Sequence, residues 1–375
     1  MIKPQPFESI RRIVLCYPVE AHHRHQIERT LAELTDDASI PLHHSIEVVD
    51  AGQERIDELL PTADIFIGHA KVPVDWDRAL AANRLRWIQS SAAGLDHCLV
   101  PGVIAHPQIV VSSASGLFAP QVAEQTFALM MGLLRRIGLF ERARQIPEFI
   151  RRPTDDLRGK TVGIVGLGGN GREIAKMLRP WEVRVLATDF YPESQPPEVA
   201  ELWPAARVND LFAAADIVIL TLPLNALTHH CIGAEQFAAM KPGGYFINVA
   251  RGPVVDEAAL VAALASGHLA GAGVDVTETE PLPPTSPLWT DPHVLITPHV
   301  GAQSIRRVDD TTDLVCINLR RYFAGDPLFN RVDKNLGFPH PSVSYRVAGA
   351  AAQVSPNSAA TVSNPSLQND TRDQS

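Results

Sequence analysis

The chain has 375 residues, 45% of them apolar and 20% charged, which is ordinary globular usage and enough for two domains with cores of their own. A net charge of −9 argues against a general role on nucleic acid or on a membrane surface, and leaves any small anionic substrate to the local field. There is no signal-peptide core and no uncharged apolar run of about 18 residues, and Cys16, Cys98, Cys231 and Cys316 are scattered without CxxC spacing, as expected of reduced thiols in a cytoplasmic protein.

The first third alternates strand and helix. Arg12–Tyr17 predicts a strand and Gln26–Leu34 a helix through Ile27, Leu31 and Leu34. Ile46–Val49 follows as a strand, Glu54–Leu60 as a short helix and Asp64–Ile67 as a strand; Asp75–Ala82 is helical and Leu85–Gln89 extended. Such alternation indicates a parallel α/β sheet, here without a nucleotide fingerprint. His22, His23 and His25, and the pair His43 and His44, show no acidic or cysteine partner at ligand spacing, so they read as polar surface loops and no metal is expected. Ser90–His97, SSAAGLDH, has small residues at its tip, which lets backbone N–H groups approach an anion such as a carboxylate. A tight turn into the next helix accounts for the same residues equally well. Pro120–Ile137 is apolar on nearly every face until Arg135, which predicts a helix buried all round, between domains or in a subunit interface.

The alternation restarts at Thr161–Val165, a short β-prone run that leads into Gly166-Leu167-Gly168-Gly169-Asn170-Gly171 and then a helical pattern from Arg172. Strand, glycine turn and helix form the context that a dinucleotide fingerprint requires. Gly166 lets the chain turn, Gly168 lets a pyrophosphate lie against the backbone, and Gly171 lets helix and strand pack closely. The helix N-terminus adds unpaired N–H groups. Glu182–Asp189 reads as the next strand, and Asp189 lies 18 residues after Gly171, placed for the adenosine ribose hydroxyls and against a 2′-phosphate. The cofactor expected is therefore NAD.

Four further strands end in polar residues. Asp216–Leu220 runs into Thr221-Leu222-Pro223, and Gly244–Ala250 into Arg251. Ala272–Val276 ends near Glu278 and Glu280, and Val294–Thr297 at Pro298-His299. Ligands in open α/β sheets bind beyond the carboxyl ends of the strands, so Thr221, Arg251, Asp275, Glu280 and His299 converge on the crevice of the glycine loop. An arginine, a carboxylate and a histidine beside a nicotinamide suit carbonyl reduction. Histidine donates a proton at neutral pH, a carboxylate orients it, and arginine forks onto a substrate carboxylate.

With these residues in view, the run from Thr161 to Gln303 resembles the NAD-binding domain of the D-isomer-specific 2-hydroxyacid dehydrogenases. GIVGLGGNGREIA, FINVARG, GAGVDVTETEPLP, SPLW and TPHVGAQS carry the likeness, and SSAAGLDH and APQVAEQTFALMMGLLRR resemble the family's loop and crossover helix. The resemblance implies two Rossmann-like doubly wound α/β lobes, with a nucleotide domain over 118–300 inserted into a substrate lobe of 1–117 and 301–336, and a homodimer. It implies that Arg251 binds substrate, that Glu280 and His299 form the acid/base pair, and that the backbone of Ala93 and Gly94 holds the substrate carboxylate. It also implies cofactor contacts from Gly166, Gly168, Gly169, Asn170, Gly171, Asp189, Thr221, Leu222, Pro223, Val249, Ala250, Asp275, His299 and Gly301. Gly169-Asn170 departs from the Arg-Ile of many members and removes an arginine side chain from the phosphates. The implied activity is reduction of a small 2-ketoacid to the D-2-hydroxyacid. The alternatives are a short phosphoglycerate dehydrogenase and an NAD-sensing, corepressor-like binding protein; formate dehydrogenases carry glutamine where this chain has Glu280.

Ala302–Ala324 reads as a helix returning to the first lobe. From Gly337 the composition turns to Ser, Ala, Asn, Gln, Pro and Asp, which predicts a poorly ordered tail over 337–375.

Overall fold

A computed structural model describes residues 10–40, 42 and 44–343. His43 and the stretch 344–375 of the expected tail lie outside the described residues. Two parallel sheets organise the chain. The first takes β1 (Arg12–Cys16), β2 (Glu47–Asp50), β3 (Ile65–Gly68), β4 (Trp87–Ser90) and β5 (Val110–Ser112) in the order β2-β1-β3-β4-β5. The second takes β6 (Thr161–Val165), β7 (Arg184–Asp189), β8 (Glu201–Pro204), β9 (Ile217–Leu220), β10 (Gly244–Asn248), β11 (Leu269–Val274) and β12 (Val294–Ile296) in the order β12-β11-β10-β9-β6-β7-β8. Every pairing in both sheets is parallel. Each order reverses once, between β1 and β3 and between β6 and β9, and such switch points open crevices at the carboxyl ends of strands.

Helices cover both faces of each sheet, so the inner strands are continuous apolar runs instead of alternating ones. IVIL of β9 and IFIG of β3 are buried at every position. Helix Ala21–Asp36 and helix Arg307–Ala324 share one face of the first sheet, where Ile27, Leu31, Leu319 and Phe323 meet Ile13, Ile65 and Trp87. The chain thus leaves the first lobe and comes back to it.

The apolar helix expected over Pro120–Ile137 is Ala119–Leu134, and it packs one side against the second lobe while Glu124 and Ala128 stay exposed. Val122, Ala123, Leu129, Met130 and Leu133 pack on Val162, Ile164 and Ile174. It stops at Arg136, which adopts a left-handed φ of 55°, and a second helix, Ile137–Gln145, sets off from there. The expected helix thus overruns the observed end by three residues, and the second helix, with no apolar stripe as long, was not read from the sequence. Ile137, Ile146, Phe149 and Ile150 beyond Arg136 are 53%, 70%, 102% and 58% exposed, four large apolar side chains in one stretch that the monomer leaves uncovered.

The chain after helix Arg307–Ala324 also departs from expectation. Gly337, the first residue of the expected tail, turns at φ 76° between β13 (Val332–Asp333) and β14 (Phe338–Pro339), which form an antiparallel hairpin. The Asn330 amide donates to the Val343 carbonyl at 2.7 Å. Composition misleads here because one aromatic ring, Phe338, anchors an otherwise polar stretch against rings of the second lobe.

Candidate active site

The carboxyl ends of both sheets face one cleft of about 720 Å³ between the lobes. Ala93, Gly94, Gly166, Gly168, Gly169, Asn170, Asp189, Thr221, Leu222, Pro223, Val249, Ala250 and Arg251 all line it. Gly166 takes φ 96° where the chain leaves β6, a conformation that suits glycine. A Cβ on Gly168 would meet nothing within 4 Å, whereas one on Gly171 would overlap the Gly166 carbonyl. The loop is therefore open where a pyrophosphate needs room and closed where helix Gly169–Leu178 meets its strand. Asp189 at the end of β7 accepts the Leu167 amide on Oδ2 at 2.6 Å and the Tyr191 amide on Oδ1 at 2.8 Å. The two amides fix the carboxylate at the cleft wall. These residues fit a dinucleotide: open backbone at a helix N-terminus and a fixed carboxylate one strand away.

Arg172 was not legible as a site residue. It lines the same wall, donating from Nε to the Leu167 carbonyl at 3.0 Å and from Nη2 to the Ser194 carbonyl at 2.7 Å, beside Asp189. Its sequence signal is its place one residue after the last fingerprint glycine, which reads equally as a first-turn helix residue.

The candidate reactive groups lie beyond the ends of β10, β11 and β12; Arg251 lines the cleft, whereas His299 and Glu280 are not among its lining residues. His299 Nδ1 and Glu280 Oε2 are 2.9 Å apart. His299 takes φ 54°, held by its amide donating to the Asp275 carbonyl at 2.7 Å. Burial pushes the Glu280 carboxyl upward, but the His299 hydrogen bond and charge, the Thr277 amide and the Arg251 guanidinium outweigh it and hold the group below the usual carboxylate range. Side-chain exposures of 44% for His299 and 40% for Glu280 leave the pair open to exchange a proton with solvent. Glu278, two residues earlier, goes elsewhere: it meets His230 at 2.8 Å and accepts the Glu257 amide.

Arg251 reaches across to the first lobe. A Cβ on Gly94 would collide with its Nη2, so only glycine leaves room for the guanidinium there. Arg251 Nε lies 3.3 Å from Asp96 Oδ2, and Nη1 donates to the Ala250 carbonyl at 2.7 Å. Asp256, the nearby alternative partner, instead caps helix Glu257–Ala265 by accepting the Ala259 amide at 3.1 Å. Behind the loop, His69 and His97 stack with centroids 4.0 Å apart. Burial and nearby cations push His69 down to about 4; burial and the His69 ring push His97 down to about 3. Two neutral imidazoles thus support the loop from below. Neither they nor Asp96 are readable as a unit, because His69 follows β3 while His97 and Asp96 follow β4.

Asp275 is brought to the site but not to the cleft wall. It is buried, its Oδ1 accepts from Thr297 Oγ1 at 2.6 Å and the Val300 amide at 2.9 Å, and its Oδ2 accepts the Gly301 amide at 2.8 Å. It holds the loop that carries His299, and Gly301 is buried with it. Elsewhere, His22, His23 and Asp309 converge: His23 Nε2 lies 2.8 Å from Asp309 Oδ1 while its Nδ1 accepts the Glu20 amide at 3.1 Å. That pattern satisfies a buried histidine at a helix start. His44 Nε2 meets the Ile10 carbonyl at 2.6 Å.

Residues 127–301 match the family model described as "D-isomer specific 2-hydroxyacid dehydrogenase, NAD binding domain". The chain is 35% identical over 255 residues to a glyoxylate reductase of Thermofilum pendens, covering 66% of this chain and 74% of that one. It is 32% identical over 286 residues to a D-3-phosphoglycerate dehydrogenase of Methanocaldococcus jannaschii, covering 75% of this chain but only 54% of the longer relative. Among solved structures, an NADPH-dependent glyoxylate/hydroxypyruvate reductase from Sinorhizobium meliloti in complex with NADP and sulfate superposes with a TM-score of 0.70 at 27% identity, over 87% of this chain and 99% of that one.

Proposed function

Since the chain belongs to the D-isomer-specific 2-hydroxyacid dehydrogenase family, we propose that it reduces a small 2-ketoacid to the D-2-hydroxyacid, reversibly, with NADH as the preferred cofactor. The His299–Glu280 pair beside Arg251 is the observation that carries this reading. A nicotinamide in the cleft supplies hydride to the carbonyl carbon; the chain's own residues do the rest. Arg251 and the backbone of Ala93 and Gly94 hold the substrate carboxylate and draw charge toward the carbonyl oxygen. His299, with Nδ1 committed to Glu280, offers Nε2 to that oxygen and gives it a proton. Glu280 fixes the ring through its 2.9 Å contact with Nδ1. Asp275, buried and bonded to Thr297, Val300 and Gly301, shapes the His299 loop from behind and does not itself reach the cleft.

Asp189 supports NADH over NADPH, because a fixed carboxylate accepts ribose hydroxyls and repels a 2′-phosphate. Free Cys16, Cys98 and Cys316, all buried, suit a reducing compartment such as the cytoplasm. The uncovered apolar side chains of Ile137, Ile146, Phe149 and Ile150 support a homodimer. Initial rates with glyoxylate, hydroxypyruvate, pyruvate and bulkier ketoacids, each with NADH and NADPH, test the proposal. Turnover of at least one ketoacid with a higher kcat/KM for NADH is expected. NADH binding without turnover of any would instead fit a cofactor-sensing protein.

A further inference from the structure

The end of the cleft beside Asp189 is built from two lobes. Phe190 and Tyr191 follow Asp189 directly, and their rings meet edge to face with centroids 5.0 Å apart. Phe338, from the hairpin of the returning chain, lies 6.0 Å from Phe190 at 79° and 6.1 Å from Tyr191 at 69°. His340 adds a fourth ring, 4.7 Å from Tyr191 at 65°. The hairpin is tied at both ends. Lys334 Nζ donates to the carbonyls of Val103 and His106, at 3.0 and 2.5 Å, in the first lobe. Asn225 Nδ2, beyond β9 in the second lobe, donates to the Leu336 carbonyl at 2.7 Å. Lys334 through Pro339 all line the cleft.

We propose that residues Lys334–His340 form a strap that completes the adenosine pocket, with Phe338 as the wall facing the adenine ring. The proposal rests on reading the cleft as a dinucleotide site. Asp189 fixes where the adenosine ribose lies, and the base attached to that ribose projects past the residues following β7, which are Phe190 and Tyr191. A flat aromatic base is held by ring contacts of this kind, each contributing a factor of roughly 5–150 in affinity when truncated to alanine. Since the strap hangs from the first lobe, adenosine binding draws on both lobes and favours their closed arrangement. Phe338 is a cofactor-positioning residue, remote from the reacting carbonyl.

The test uses ADP-ribose, which carries the adenosine half and no nicotinamide. Calorimetric titration of the full-length chain should show Phe338→Ala weakening ADP-ribose binding by about tenfold, the lower end of that range, with the unliganded melting temperature within a degree or so of wild type. Phe338→Trp should restore affinity, and its indole emission should change on adding ADP-ribose by more than the wild-type background. Unaltered or tighter ADP-ribose binding by Phe338→Ala would overturn the strap while leaving the dinucleotide reading standing. Failure of wild type to bind ADP-ribose or NADH would overturn the dinucleotide reading, and the strap with it. If Phe338→Ala proves unstable, the Phe338→Trp emission decides: no response to saturating ADP-ribose excludes contact.

Discussion

In the proposed mechanism three side chains divide the chemistry, and each carries its own kinetic signature. His299→Ala removes the proton donor but no part of the glycine loop. General acid catalysis contributes about 10²–10⁴-fold, so kcat should fall by that order while NADH affinity, read by fluorescence titration, stays close to wild type. A near-wild-type kcat would mean the proton comes from elsewhere. Arg251→Ala removes both a ground-state contact to the substrate carboxylate and stabilisation of the charge that develops on the carbonyl oxygen, so KM should rise and kcat fall together. Glu280→Gln keeps the size of the side chain but takes the charge away from its bond to His299 Nδ1, so kcat should fall while NADH affinity, read by the same titration, is unchanged. An unaltered kcat would separate the two groups functionally. That these three residues come together was readable because Arg251 and His299 follow strands of one sheet closely and Glu280 follows a third by six residues, and strand ends of one sheet share an edge. Asp275 shows the limit of that rule. Its position at the end of β11 is readable, but its three bonds into the His299 loop depend on a loop conformation that no spacing encodes.

At the level of elements, strand–glycine–helix and the apolar strands were readable because fully buried strands leave unbroken apolar runs. The short edge strands β5 and β8 were not, being three and four residues of mixed polarity. The loop Ser90–His97 was readable as a possible anion cradle, but its support was hidden in the first lobe. That support has a consequence for acid stability. His69 and His97 stay neutral in the fold down to about 4 and about 3. In the unfolded chain imidazoles take up protons near pH 6.5. Below that value the unfolded state binds more protons than the native one, so stability falls with pH from about 6.5 until the folded pKa values are reached. His97→Asn removes one of these sites. Its melting temperature should fall less than that of wild type between pH 7 and pH 5, in parallel thermal scans. Equal losses would mean that other groups dominate acid unfolding.

Across the whole molecule, two surfaces remain to be explained: the apolar stretch beyond the crossover helix and the chain's far end. The sequence placed Pro120–Ile137 between domains or in a subunit interface; the structure packs one side of that helix on the second lobe and leaves Ile146, Phe149 and Ile150 exposed beyond it. Ile146→Asp with Phe149→Asp should convert a dimer to a folded monomer by light scattering at micromolar concentration. A wild-type monomer would refute the dimer outright. The far end splits at Val343. The stretch 344–375 lies outside the described residues. Gly337–Val343, by contrast, carries Phe338 and the Val343 carbonyl that Asn330 uses. A chain ending at Val343 should thus keep wild-type melting and NADH affinity. One ending at Leu336 should lose about tenfold or more in NADH affinity, because the ring wall at the adenosine end goes with it. Comparable behaviour of the two truncations would show that the hairpin is passive. A tenfold fall in kcat/KM on removing 344–375 alone would assign that stretch a role of its own.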